Sequence, residues 1–146
     1  MRIGTTAGSF DLLHSGHVLM LEDCKTVCDY LIVLLQTDPT VDRPTKNKPV
    51  QTLKERFIVL QSIKYVDEIV VYTTEAELEE WLTKNRDKLS IRILGSDHKN
   101  NPNITGKDLN IPVHFHSRDH EWSSSSLRRR VYEAEQKRQN ENRIFY

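Results

Sequence analysis

Ala7-Gly8-Ser9-Phe10-Asp11-Leu12-Leu13-His14-Ser15-Gly16-His17 joins a short apolar strand to a helix. Gly8 permits a tight turn where the strand ends. His14-Ser15-Gly16-His17 sets two imidazoles about one helical turn apart, on the same side of the helix start. Gly16 has no side chain, so a ligand can approach the backbone between them. The free N–H groups and positive dipole end of a helix favour an anion at that point. Two imidazole donors extend this into a seat suited to a polyphosphate.

Arg2 to Thr6 supplies the strand before the turn. Val18, Leu21 and Cys24 repeat at helical spacing after it. Tyr30-Leu31-Ile32-Val33-Leu34-Leu35 is a nearly continuous apolar run, as in a strand covered on both faces of a parallel sheet. Asp38 to Pro49 is a loop carrying Lys46 and Lys48. Thr52 and Glu55 have capping-box spacing and open a helix with an apolar face of Leu53, Phe57 and Leu60. Glu68 to Tyr72 is a third strand. Thr74 and Glu77 repeat the capping box and open a helix to about Asn85, and Ile91 to Gly95 is a fourth strand. Residues 96–111 are polar and read as a functional or mobile loop. Pro112 to His116 is a fifth strand. The last helix is expected from Ser123 to about Lys137, with Leu127, Val131 and Ala134 facing inward. The apolar end Ile144-Phe145-Tyr146 packs on a partner or on the chain's own sheet.

Alternating strands and helices predict an α/β fold: a Rossmann-like three-layer sandwich with a five-stranded, mostly parallel sheet, forming a single domain over residues 1–146. Ligands in such sheets bind beyond the carboxyl ends of the strands. The loops after Gly8, around Lys46, from Gly95 to Asn101 and from Arg118 to Ser125 all follow strands, so they are expected to converge.

A chain of 146 residues with 21 basic and 21 acidic side chains has no global positive field for nucleic acid. No apolar run reaches membrane-spanning length, and the N-terminus does not read as a signal peptide. A soluble cytoplasmic domain is expected. Cys24 and Cys28, four apart on a helix, read as reduced packing residues rather than a zinc site. His114 and His116 face one side of a strand without a third metal ligand at suitable spacing.

The opening stretch resembles the G-T-F-D-L-L-H-x-G-H segment of the cytidylyltransferases, glycerol-3-phosphate cytidylyltransferase in particular, within the nucleotidyltransferase superfamily. The likeness continues through Asp29-Tyr30-Leu31-Ile32-Val33, Gln36-Thr37-Asp38, Glu55-Arg56 and Lys64-Tyr65-Val66-Asp67-Glu68-Ile69. It ends with Arg118 followed by Ser123-Ser124-Ser125. The resemblance implies transfer of CMP from CTP to a small phosphorylated alcohol or sugar, glycerol 3-phosphate leading, to give CDP-glycerol and pyrophosphate. Mg²⁺ is expected with the triphosphate, held mostly by phosphate oxygens and water. A homodimer is also implied, with no nucleic-acid or membrane partner.

In such a reaction the attacking phosphate oxygen is already anionic. The protein supplies donors on the α-phosphate, cations on the leaving pyrophosphate and a cation that holds the acceptor. By resemblance, His14 and His17 take the triphosphate and the transition-state charge. Ser9 and Phe10 match positions whose backbone lies along the nucleotide, with Gly16 between the imidazoles, while Asp11 orients a histidine or fixes the turn. Lys46 resembles the lysine that contacts the acceptor phosphate, with Lys48 its rival. Arg56 and Lys64 are further acceptor contacts, Lys64 standing where the family generally has arginine and so lacking the bidentate fork. Arg118 with Ser123, Ser124 and Ser125 forms a second phosphate cluster, Trp122 standing where isoleucine is common. Gly95 and Asp97 look like the family's G-x-D near base and ribose. At least two of Arg128, Arg129 and Arg130 form a solvated face.

One departure bears on the acceptor. Glycerol-3-phosphate enzymes carry a lysine in the helix after the third strand, where this chain has the acidic Glu75-Ala76-Glu77-Leu78-Glu79-Glu80. Either Lys99 and Lys107 take over that role, or another phosphorylated alcohol or sugar is the acceptor. Two further readings compete: an adenylyltransferase with a pantetheine-phosphate or FMN acceptor, and a non-catalytic nucleotide-binding module.

Overall fold

The computed structural model describes the backbone of residues 1–145 and the side chains of residues 1–143; the expected packing of Ile144, Phe145 and Tyr146 lies outside the described residues. Five strands run β1 Ile3–Gly8, β2 Tyr30–Gln36, β3 Glu68–Tyr72, β4 Ile91–Gly95 and β5 Val113–His116. They form one sheet in the order β3-β2-β1-β4-β5, with every pairing parallel. Four helices connect or follow them: α1 Ser15–Val27, α2 Leu53–Gln61, α3 Glu75–Asn85 and α4 Ser124–Phe145. The chain winds from β1 outward to β3, then returns to place β4 against the other side of β1. That reversal between β1 and β4 is the topological switch point of an open α/β sheet, where a crevice forms beyond the strand ends.

The apolar run of β2 splits by residue parity. Leu31, Val33 and Leu35 join Phe10, Leu21, Cys24, Leu60 and Ile93 on one face, while Ile32 and Leu34 join Tyr72, Leu78, Leu82 and Ile111 on the other. Both faces are therefore covered, as the unbroken run requires. Cys24 and Cys28 are free thiols buried in the first of these layers, and burial raises the pKa of both. Thr52 and Glu55 form the expected reciprocal cap of α2. At α3, Thr74 accepts from the Glu77 N–H as expected, but the Glu77 carboxylate reaches back one residue further, to the Thr73 N–H at 2.7 Å.

The last helix departs from expectation. It begins at Ser124 and continues to Phe145. Leu127 is half-buried, but every described residue from Arg129 onward is exposed, including Val131 at 60% and Ala134. Only Ser124 to Arg128 of α4 meets the body of the fold, so among the described residues the helical spacing of Val131 and Ala134 finds no surface to bury against. No helix among the described residues is long and apolar enough to cross a membrane.

Candidate functional site

The turn after β1 is held in a costly shape. Phe10 and Leu12 have φ of 48° and 50°, in the left-handed region that bulky residues avoid. Three interactions hold it. The Phe10 ring is buried in the core, at 5.4 Å from the His17 ring. The Asp11 carboxylate accepts from the Val50 and Gln51 N–H groups, both at 2.9 Å, and the Leu12 N–H donates to Gln51 Oε1 at 2.8 Å. Asp11 therefore fixes the turn, tying it to the chain entering α2, and its carboxylate does not bond a histidine.

That turn aims His14 and His17 at the start of α1. His14 is the N-cap: its Nδ1 accepts from the Gly16 N–H at 3.0 Å, and His17 Nδ1 accepts from the His14 N–H at 3.1 Å. Both Nδ1 atoms are acceptors, so each neutral ring carries its proton on Nε2. The two rings lie 4.0 Å apart. Burial, followed by the neighbouring His14 and Arg118, pushes the His17 pKa down to about 4; burial and then Arg118 also lower that of His14. The pair is thus two neutral N–H donors at neutral pH, needing no protonation to meet an anion.

His14, His17, Gly95, Asp97, Arg118, Ser123 and Ser124 line one cavity of about 200 Å³ beyond the carboxyl ends of β1 and β4. The imidazoles from the start of the chain and the arginine–serine cluster from its far end thus share a single space. His14 Nε2 stands 3.3 Å from Ser124 Oγ. Ser123 Oγ accepts from the Ser126 N–H at 3.0 Å and caps α4. Arg118 Nη2 donates to the Trp122 carbonyl at 2.9 Å. Ser125 is exposed and lines neither this cavity nor its neighbour. The space over Gly16 is not open backbone: a Cβ there would stand 2.9 Å from both His14 Cε1 and His120 Cε1.

Ser124 also lines an adjoining cavity of about 600 Å³, walled by Ser9, Lys46 and the loop of residues 98–105. Lys46 faces this space, whereas Lys48 lines neither cavity, is 79% exposed and stands 3.9 Å from Asp38. The geometry separates the two lysines that the sequence leaves open. Arg56 and Lys64 are corrections. The Arg56 guanidinium is buried and bonded to four backbone carbonyls, those of Ser9, Gln36, Thr37 and Gln51. Lys64 lies in the loop before β3, at the amino ends of the strands, with its Nζ 5.1 Å from the centre of the Tyr65 ring. The site loops leave the opposite ends.

Lys99 and Lys107 do not line the larger cavity; Lys107 Nζ donates to the Pro102 carbonyl. Its positive charge comes instead from Lys46, Arg43, Arg92 and Arg128. Glu75 also faces it, accepting from Thr105 Oγ1 at 2.9 Å and pairing with Arg43 at 3.4 Å. One of these arginines, Arg92, carries a signal in the sequence itself. Arg92 interrupts the apolar Ile91–Leu94 strand, and is 6% exposed with Nη1 donating to the Thr105 carbonyl. Arg128 is half-buried, while Arg129 and Arg130 form the expected solvated face. His114 and His116 both reach Asp23 Oδ2, at 3.0 and 2.9 Å. Among the described residues no group of three or more His, Cys, Asp or Glu side chains could hold a metal ion.

The chain is 39% identical over 107 residues to the bifunctional protein HldE of Caulobacter vibrioides, an alignment covering 66% of this chain and 22% of that one. It is 47% identical over 64 residues to a probable ethanolamine-phosphate cytidylyltransferase of Encephalitozoon cuniculi, covering 44% of this chain and 20% of the relative. It thus spans about a fifth of the length of these curated relatives. Among solved structures, the lipopolysaccharide core biosynthesis protein of Thermoplasma volcanium superposes with a TM-score of 0.64 at 25% identity, covering 84% of this chain and 99% of that one. The cytidylyltransferase-like family model matches residues 5–130, from β1 into α4 and so across both walls of the paired cavities. On that match the chain belongs to the cytidylyltransferase-like family, within the nucleotidyltransferase superfamily.

Proposed function

We propose that the chain transfers CMP from CTP to a small phosphorylated alcohol or sugar, with glycerol 3-phosphate the first acceptor to test. One observation carries the reading: His14, His17, Arg118, Ser123 and Ser124 line the same cavity at the switch point of the sheet. In the reaction an acceptor phosphate oxygen forms a bond to the α-phosphorus, and the bond from that phosphorus to the β-phosphate oxygen breaks, releasing pyrophosphate. No proton has to move. His14 and His17 present neutral Nε2–H groups to oxygens that gain charge in the transition state. Arg118 and the hydroxyls of Ser123 and Ser124 hold the leaving pyrophosphate, Gly95 and Asp97 adjoin the nucleoside, and Lys46 with Arg128 draws in the acceptor.

Magnesium is proposed as part of the triphosphate substrate, where it neutralises phosphate charge. The residues fit that arrangement. Both Asp11 oxygens already accept backbone N–H groups and, among the described residues, no carboxylate cluster adjoins the cavity, so phosphate oxygens and water would be its ligands. A homodimer in the cytoplasm belongs to the same proposal, and sedimentation of the purified chain measures the oligomer.

The test is pyrophosphate release across a matrix of CTP and ATP against glycerol 3-phosphate, ethanolamine phosphate and hexose phosphates. Release with CTP supports the reading; release with ATP alone makes the chain an adenylyltransferase. No release with any pair leaves a nucleotide-binding module. Within an active pair, Lys46→Ala is expected to raise the acceptor KM by on the order of tenfold or more, the loss of one charged hydrogen bond. Lys48→Ala is expected to leave it within about twofold. Equal effects would remove Lys46 from the acceptor site.

A further inference from the structure

Beside the two motif imidazoles stands a third. His120 comes from the loop between β5 and α4 and belongs to the same cavity wall as His14, His17 and Arg118. Its Nδ1 accepts from the Trp122 N–H at 3.1 Å, so the ring proton of the neutral form is on Nε2. Trp122 stacks on the ring, with centroids 5.1 Å apart and planes 28° from parallel. Tautomer and orientation are thereby both set. The Nε2 atom is shut away from water and has no hydrogen-bond partner.

A buried donor without an acceptor is costly, and a native structure keeps one where something else completes it. The surroundings say what is missing. The same wall carries His14 with its own Nε2–H and Arg118 with its guanidinium, while its one carboxylate, Asp97, is 69% exposed, stands 3.8 Å from His98 and does not bond His120. The His120 ring also sits over Gly16, at the start of α1, where the helix end favours an anion. The absent partner is an acceptor, and an anionic one.

We propose that His120 is a third imidazole donor to the phosphate chain of the nucleotide, resting over Gly16 until the anion enters. This rests on the nucleotide-site reading above. Entry of a phosphate oxygen lifts the ring off Gly16 and gives Nε2–H its acceptor. Because Trp122 is stacked on the ring, the movement carries the indole with it.

The experiment uses the full chain in a Trp81→Phe background, leaving Trp122 as the sole tryptophan. CTP without acceptor is titrated against its fluorescence, beside cytidine and inorganic pyrophosphate. His120→Phe keeps an aromatic partner for Trp122 but removes the N–H, while His120→Gln keeps a donor. The expected result is a dissociation constant for CTP and for pyrophosphate raised on the order of tenfold in His120→Phe, with cytidine unchanged and most of the loss recovered in His120→Gln. Unchanged CTP binding in His120→Phe, or equal weakening for CTP and cytidine, overturns the proposal. Should His120→Phe not fold, the wild-type His120 Nε2–H resonance decides: it shifts with pyrophosphate if the proposal holds and stays fixed if it does not. Wild-type protein that binds neither CTP nor ATP overturns the nucleotide-site reading itself, a separate outcome from failure of the variant alone.

Discussion

His17→Ala is expected to lower turnover by about 10²–10³-fold, the usual consequence of losing one donor aimed at transition-state charge. His14→Ala is expected in the same range. In the proposed role the imidazoles are neutral Nε2–H donors, because each Nδ1 is occupied by a backbone N–H of the helix start. Each substitution therefore also removes half of a cap, which on its own costs stability on the order of 1 kcal/mol. Thermal melting separates the two effects: a cap loss lowers the melting temperature by a few degrees, whereas the donor loss appears in kcat with the protein folded. Turnover within a few-fold of wild type in folded His17→Ala would remove the imidazole from the chemistry.

The same geometry gives a pH signature. The His17 pKa is lowered from its ordinary value of 6.5 to about 4. Between those values the unfolded chain binds more protons than the folded one, so unfolding is favoured as pH falls. The contribution is fully present above pH 6.5 and is lost as pH drops toward 4, amounting to about 3 kcal/mol across the window. Urea midpoints measured at about pH 7 and about pH 5 should fall further in wild type than in His17→Gln. A steeper acid loss in the variant contradicts the burial of a neutral ring. Turnover should not require the protonated imidazole, so acidification toward pH 5 brings no activation from this group.

Local signals carried much of this architecture. The parity split of Leu31 to Leu35 follows from a strand buried on both faces, and the Thr52 and Thr74 caps follow from side chains satisfying helix-start N–H groups. The two-histidine turn was legible because it is contiguous: strand end, glycine, helix start. Long-range closure was not. Lys64 lies close in sequence to motif residues, yet it precedes β3 and so stands at the wrong end of the sheet. Val131 and Ala134 have helical spacing, but spacing alone does not say where the layer beneath a helix stops. Arg92 and Arg128 reach the larger cavity only because parallel order brings β4 and the start of α4 beside β1. A cation's partners are set by that tertiary closure, and nothing in the neighbouring sequence reports them.

Arg56 shows the point most sharply, and its substitution should have the largest effect on stability. Its Nη1 donates to the Ser9 and Gln36 carbonyls at 2.9 and 2.7 Å, Nη2 to the Thr37 carbonyl at 2.6 Å and Nε to the Gln51 carbonyl at 3.2 Å. These oxygens belong to the loop after β1, to β2 and the residue beyond it, and to the entry into α2. One side chain, 2% exposed, thus joins the segments that form the floor under the larger cavity. Arg56→Ala leaves several buried carbonyls without donors and a void in their midst, an expected loss of about 3–5 kcal/mol. Arg56→Lys should restore less than half of it, because an ammonium on a flexible stem cannot reproduce a planar fork that meets carbonyls on three segments. Urea unfolding reads both values. If Arg56 instead contacted the acceptor phosphate, Arg56→Ala would unfold within about 1 kcal/mol of wild type and raise only the acceptor KM. A loss of several kcal/mol, with Arg56→Lys close to Arg56→Ala, shows a guanidinium that builds the cavity from beneath.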